Sequence, residues 1–208
     1  NFEIVDVLNY LFKLYQIGVD AVIVQDFGLI WLLKTLIPDL EVHASTQMGI
    51  NNYSSIKWAS QNNIKRVVLP REVNINQIEK THKQLKKDNI DMDIEIFGHG
   101  ALCYCVSGKC YISSYNSGRS GNRGQCAGSC RLKYDVIDEL GNKLNKDDYP
   151  LSTKDLNTLS YVGELIEAGV ASLKIEGRMK SSEYVYTVVS LYRAAIDSYY
   201  QNGIVSIN

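Results

Sequence analysis

From Phe2 onward the apolar residues Val5, Leu8, Phe12, Tyr15 and Ile17 recur near the helical period and stop at Gly18, which predicts an opening helix. The short continuous apolar run Ala21 to Val24 ends in Gln25 and Asp26, and a helical stretch from Gly28 to Ile37 follows before Pro38 breaks it. This unit of strand, loop and helix recurs. Leu40 to Ala44 ends in Ser45, Thr46 and Gln47, ahead of a helix from about Ser54 to Gln61. Arg66 to Leu69 ends in Pro70, Arg71 and Glu72, ahead of a charged amphipathic helix from about Asn76 to Lys87. Asp93 to Phe97 reads as the fourth strand and opens at Gly98 into a Gly- and Cys-rich segment. The rhythm stops there. Lys133 to Glu139, with Gly141 and Asn142 as a turn, predicts a hairpin before Tyr149 to Ser152 and a helix from Leu156 to Glu167. Alternation resumes after Gly169 with a strand from Ala171 to Ile175, then Glu176, Gly177 and Arg178, then a last helix from about Glu183 to Tyr200.

Strands alternating with helices imply right-handed crossovers and a parallel sheet covered by helices. Most apolar runs end in polar residues able to do chemistry, namely Gln25/Asp26, Ser45/Thr46/Gln47, Arg71/Glu72, His99, Ser152/Thr153 and Glu176/Arg178. In a (β/α)8 barrel of the TIM type such strand ends converge on one mouth, which favours the barrel over an open sheet. The pattern supplies fewer than eight strands and begins on a helix without a Met, so the expectation is an incomplete barrel whose first strand-helix units precede residue 1. Residues 1–208 then form a single partial barrel domain, with a Cys-rich excursion at about 98–134 and a hairpin at about 133–150.

Composition narrows the function classes only slightly. The 208 residues carry 22 Lys+Arg against 23 Asp+Glu, a net charge of -1, so any anion site is a local patch rather than a global basic excess. No run approaches the length of a membrane span and no secretory leader is visible, which predicts a soluble, cytoplasmic protein. All five cysteines lie between Cys103 and Cys130, and that clustering favours a metal or cluster site over a spread disulfide framework.

The segment from Gly98 to Tyr134 has no Asp or Glu but holds Lys109, Arg119, Arg123, Arg131 and Lys133 among Tyr104, Tyr111, Tyr115 and Tyr134. A basic, aromatic, glycine-rich loop suits a metal cluster, a phosphate or an RNA strand. Six residues separate Cys103 from Cys110, fifteen separate Cys110 from Cys126, and three separate Cys126 from Cys130, with Cys105 left over. Zinc usually takes ligand pairs two to four residues apart, which only the last pair satisfies unless Cys105 replaces Cys103. An iron-sulfur cluster tolerates looser spacing, and the nearby cations would offset its thiolate charge. Catalytic or redox thiols and inert buried thiols stay open as further readings.

Glu95-Ile-Phe-Gly-His-Gly-Ala-Leu-Cys103, continuing through Ser107-Gly-Lys-Cys110 to Ile112-Ser113, resembles the signature of peptidase family U32, the collagenase-like proteins. Asn122-Arg-Gly-Gln-Cys-Ala-Gly-Ser-Cys-Arg131, Leu151-Ser-Thr-Lys-Asp-Leu156, Lys174-Ile-Glu-Gly-Arg178, His43-Ala-Ser-Thr-Gln47 and Leu69-Pro-Arg-Glu72 fit the same family. The resemblance implies a barrel whose opening strands precede Asn1. It also implies two activities: peptide-bond hydrolysis, for which the family is named, and RNA or quinone-pathway hydroxylation by members holding a [4Fe-4S] cluster. The tRNA uridine hydroxylases are the nearest in motif. Carried over residue by residue, the cluster ligands are Cys103, Cys110, Cys126 and Cys130, with Cys105 outside the pattern.

A peptidase needs an activated nucleophile or water, and the residues supply no clear one. The chain has three histidines, His43, His82 and His99, and no His-Glu-x-x-His helix for zinc. His82, in a charged helix, reads as a surface residue, and pairing His99 with Cys103 would take a thiol from the cluster. Hydroxylation therefore leads, with proteolysis as its alternative and a non-catalytic, cluster-bearing partner subunit as a third reading. The candidate catalytic residues are Glu95, His99, Lys174, Glu176 and Arg178. The last three alternate and so share a face at a strand end. Arg71, Glu72, Arg119, Arg123 and Arg131 are the candidate substrate-binding residues, and the resemblance suggests a small carboxylate donor such as prephenate beside tRNA or another RNA. A peptide is the alternative substrate and zinc the alternative metal. Homo- or hetero-oligomers are both open, with Tyr184, Tyr192, Tyr199 and Tyr200 of the last helix serving as a docking face or as barrel covering.

Overall fold

The computed structural model describes residues 2–177 and 180–205, which divide into two compact units. The first runs to Ile96 and includes Glu167–Ser172. In it, helix α1 (Phe2–Gln16) leads into β1 (Ala21–Val24), α2 (Phe27–Leu36), β2 (Glu41–Ala44), α3 (Tyr53–Gln61), β3 (Ile64–Val68), α4 (Ile75–Lys87) and the start of β4 (Asp93–Ala101). The strands pair in parallel in the order β1, β2, β3, β4, with His43 opposite Arg66 and Arg66 opposite Asp93. Helices α2, α3 and α4 each begin one residue before the position their apolar pattern suggests, because the capping residue decides the start. Asp26 accepts a 2.8 Å hydrogen bond from Leu29 N, while Asn52 with Ser55 and Asn74 with Gln77 form reciprocal capping boxes.

Alternation along the strands sends Val24, Val42, Ala44, Val67 and Ile94 into a core shared with Ile30 and Leu33 of α2, Ile56 and Ala59 of α3, and Ile78 and Leu85 of α4. The other face carries Glu41, His43, Arg66, Asp93 and Glu95. The helix α4 pattern leads to a second conclusion: His82 is half-buried rather than a free surface residue, and its ring fills the space where Gly169 (φ +90°) would carry a Cβ. Burial holds the His82 imidazole below its usual value of 6.5, and Lys86 adds to the effect. The neutral ring therefore contributes its stability fully above pH 6.5, and that contribution is lost as the pH falls through the depressed folded value. In urea titrations from pH 7.5 down to 5.5, the wild type is expected to lose more stability than His82→Gln. Equal losses would remove His82 from the account.

The second unit takes Phe97–Ile166 and the chain from Leu173 onward. It holds the rest of β4, a short helix α5 (Ile112–Ser117), β5 (Asp155–Asn157), α6 (Val162–Glu167, whose last residue belongs to the first unit), β6 (Ser172–Glu176, joining at Leu173) and α7 (Ser182–Asn202). Val162 of α6 and Val188, Tyr192 and Ala195 of α7 form its core, lined by Leu159, Leu173 and Ile175.

Three sequence expectations change here. Strand β4 continues to Ala101 instead of opening into a loop at Gly98. Its glycines are places of close approach: a Cβ on Gly98 would press on Leu173, and one on Gly100 (φ +102°) would overlap the Glu176 carbonyl. The predicted helix from Leu156 is shortened to Val162, because Asp155–Asn157 pairs antiparallel with His99–Ala101. The hairpin is a ribbon with one bridge, Ile137 to Lys143, turned around Asp138, whose carboxylate accepts from Leu140 N and Asn142 N. The result is a mixed α/β fold with mostly parallel strands. Among the described residues β6 pairs with β4, and the strands do not close into a ring. No described helix is long and apolar enough to cross a membrane.

Candidate active site

His99 sits on β4 with alternation placing it opposite in direction to Gly98 and Gly100. Its half-buried ring packs edge-on against Tyr192 of α7, 5.6 Å between centroids, and 6.0 Å from the Tyr184 ring. His99 Nδ1 lies 3.3 Å from the Tyr192 hydroxyl. That hydroxyl is buried and tied to the strand: it donates to Gly98 O at 2.8 Å and accepts from Thr158 N at 2.9 Å. Thr158 Oγ1 also donates to Gly98 O at 2.8 Å. The imidazole is thus held from below by a network reaching into the core, whose loss would leave buried polar groups unpaired.

After Ala101 the chain enters the cysteine-bearing loop. Cys103 and Cys126 are exposed, Cys105, Cys110 and Cys130 are half-buried, and all five are free thiols. Burial pushes the Cys105 thiol up, and the neighbouring charges of Cys110 and Cys103, together with a hydrogen bond to Cys110, push the same way. Gly128 N donates to Cys126 Sγ at 3.4 Å. Buried Ser113 of α5 accepts from Ala127 N at 3.0 Å, and Asn122 donates to Gly108 O at 3.0 Å, so the two cysteine-bearing arms are stitched together. Among the described residues, no three His, Cys, Asp or Glu side chains converge on a metal geometry. The donor chemistry nonetheless suits a thiophilic cluster, since thiols that penalise one another's ionisation gain from a shared cation.

Arg131 closes this loop. Its guanidinium donates to Ser152 Oγ at 2.9 Å, to Thr153 O at 3.1 Å and to Leu102 O, while Thr153 Oγ1 donates to Leu102 O at 2.8 Å. The planar fork is occupied by backbone and hydroxyl oxygens, so this candidate substrate-binding residue braces the loop. Arg131→Ala is expected to cost about 2 kcal/mol, through carbonyls left unpaired, and to expose the 102–131 loop to limited proteolysis. An unchanged cleavage pattern would rule out the brace.

The family model for peptidase family U32 matches residues 1–206. This chain belongs to peptidase family U32. Among curated relatives, it is 44% identical over 185 residues to the 23S rRNA 5-hydroxycytidine C2501 synthase of Escherichia coli, covering 89% of this chain and 27% of that protein. It is 39% identical over 197 residues to tRNA hydroxylation protein P1 of Bacillus subtilis, covering 92% and 46%. It is 43% identical over 168 residues to the collagenase of Porphyromonas gingivalis, covering 77% and 40%. The chain thus spans less than half the length of each of these relatives. Among solved structures, 2,3-dimethylmalate lyase overlaps at a TM-score of 0.33 and 10% identity, covering 93% of this chain and 79% of that one.

In this U32 chain the expected site residues separate by surroundings. Glu95 is buried, accepts from Ser172 Oγ at 2.9 Å and lies 3.6 Å from Arg66, which also pairs with Asp93 at 2.8 Å. Asp93 in turn raises the Arg66 pKa, with Glu95 adding to it. Glu95 is therefore a member of an ion-paired network on the polar face of the first unit. Lys174 and Glu176 are half-buried on β6, with the Lys174 ammonium 6.0 Å from the Phe97 ring centroid. Arg178 lies outside the described residues. Arg71 is half-buried and Glu72 exposed in the turn after β3, and Arg119 and Arg123 are exposed on the cysteine loop. Sequence reasoning missed Tyr192 and Thr158 as supports of His99. Tyr192 is only 4% exposed, so it is no docking residue, whereas Tyr200 is 72% exposed. Spacing gave a hint: Tyr192 falls four residues after Val188 and three before Ala195, on the apolar stripe of α7.

Proposed function

We propose that this U32 chain is the cluster-bearing part of an enzyme that hydroxylates a pyrimidine of RNA, with tRNA uridine as the favoured target. The observation that carries the reading is the cysteine loop: five thiols within one stitched segment free of carboxylates, in a chain 39% identical to a tRNA hydroxylation protein and 44% identical to an rRNA hydroxycytidine synthase. Cys103, Cys110, Cys126 and Cys130 would hold the [4Fe-4S] cluster, which supplies electron transfer when bound. Exposed Arg119 and Arg123, with exposed Tyr104, Tyr111 and Tyr115, suit the phosphates and unstacked bases of a single-stranded RNA loop. His99 offers a hydrogen-bonding group toward substrate, and Lys174 a cation for a small carboxylate donor. In the finer fold reading, the parallel strands are part of a (β/α)8 barrel, and a cytoplasmic location follows from the RNA substrate.

The 43% identity to a collagenase favours peptide hydrolysis as the second reading. His99 is hydrogen-bonded to a tyrosine here rather than to a thiol or serine, which gives hydrolysis less support. The test is nucleoside mass spectrometry on tRNA and rRNA from cells lacking the protein. The expected result is loss of one nucleoside heavier than uridine or cytidine by a single oxygen, restored by the full protein. Unchanged nucleosides together with cleavage of a peptide library would replace the hydroxylase reading by the peptidase one.

A further inference from the structure

We infer that Tyr192 is a positioning residue for His99: its hydroxyl fixes the neutral imidazole as the Nδ1–H tautomer and leaves Nε2 as the ring's acceptor. A tyrosine hydroxyl has one hydrogen to give and two lone pairs to receive with. The acceptors within reach of Tyr192 are Gly98 O at 2.8 Å, Asn157 Oδ1 and Thr158 Oγ1 at 3.4 Å and, in one tautomer, His99 Nδ1 at 3.3 Å. The shortest contact takes the proton, so the hydroxyl donates to Gly98 O. Thr158 N fills one lone pair at 2.9 Å, closer than its 3.1 Å approach to Gly98 O. The Thr158 hydroxyl gives its own hydrogen to Gly98 O at 2.8 Å rather than to Tyr192 at 3.4 Å, which leaves the remaining lone pair to His99 Nδ1, able to satisfy it only by carrying hydrogen.

The geometry is fixed on all sides. Gly98 directly precedes His99 on β4, so the carbonyl that takes the tyrosine proton and the ring that tyrosine orients move as one piece. Tyr192 is buried in the α7 core and meets the imidazole edge-on, so neither ring can turn away without opening the unit. His99 Nε2 makes no hydrogen bond to the described residues. A neutral Nε2 lone pair accepts from an N–H or O–H group, such as the imino or amino edge of a pyrimidine or a hydroxyl, and it would not serve as a donor to a carbonyl oxygen. The substrate class in that last step rests on the RNA hydroxylase reading, whereas the tautomer does not.

The test is nitrogen-15 NMR of the full protein labelled at histidine, above the pH at which the imidazoles titrate. The three histidines are few enough to assign with His99→Gln. In the wild type, the His99 signals are expected to show a protonated Nδ1 and an unprotonated Nε2. In Tyr192→Phe, which keeps the ring and removes the hydroxyl, the Nε2–H form is expected to take over, while Tyr184→Phe leaves the tautomer as it was. Hydroxylation by Tyr192→Phe is expected to fall about tenfold or more in kcat, the scale of losing an oriented acid-base group. A protonated Nε2 in the wild type overturns the inference by itself, with no dependence on how any variant folds. The expected tautomers without any RNA hydroxylation would leave the inference standing and remove the functional reading.

Discussion

Gly100→Ala is expected to destabilise the protein by about 3 kcal/mol or more, the largest single-residue effect outside the core. Two penalties add at this position. The backbone sits at φ +102°, where an L side chain is strained, and the new methyl would overlap the Glu176 carbonyl of the neighbouring strand, which has no flexible end to withdraw. Gly124→Ala separates the two. Its φ is +72° but nothing lies within 4 Å of an added methyl, so only the backbone penalty of about 1 kcal/mol applies. Urea unfolding of both variants measures the difference, and similar midpoints would falsify the close approach of β4 and β6. Because His99 is the residue before Gly100, the substitution is also expected to reduce activity more than its stability cost explains.

The second large effect concerns metal content. On the proposed [4Fe-4S] reading, Cys110→Ser in protein purified without oxygen is expected to lose visible absorption and iron, falling from about four irons per chain to near zero. Cys110 is the most informative ligand to remove because it neighbours Cys105, the one thiol outside the proposed ligand set, and raises the pKa of that thiol. Cys105→Ser is expected to retain iron. The reverse pattern, with iron lost in Cys105→Ser and kept in Cys110→Ser, would exchange their roles without removing the cluster, and full iron in both would place the ligands elsewhere.

The first unit was legible almost residue by residue, since its strands are short apolar runs and its helices amphipathic, each a local signal. The second unit was less so, and Gly98-His-Gly100 shows why. Glycine punctuates loops and also permits close packing of strands, and only the partner, Glu176, tells the two apart. Leu156 was drawn into a helix for a similar reason: its pairing with Gly100 is a long-range contact that no local period reports. For the site, chemistry-bearing residue types were visible but their employment was not. Arg131 looks like an anion binder in a basic loop until Leu102 O, Thr153 O and Ser152 are found around it. Tyr192 looks like one of several helix tyrosines until the carbonyl before His99 is found beside it.

The Arg131 brace would also preorganise the proposed cluster site. Leu102 and Arg131 are 29 residues apart in sequence yet bonded directly, so the thiols between them lie on a closed ring rather than on a free strand. If these thiols hold the proposed cluster, part of the configurational entropy lost when distant ligands gather would already have been surrendered during folding. The brace would then act as a chelate effect built by hydrogen bonds, making capture a local closure instead of a search by a long flexible tether.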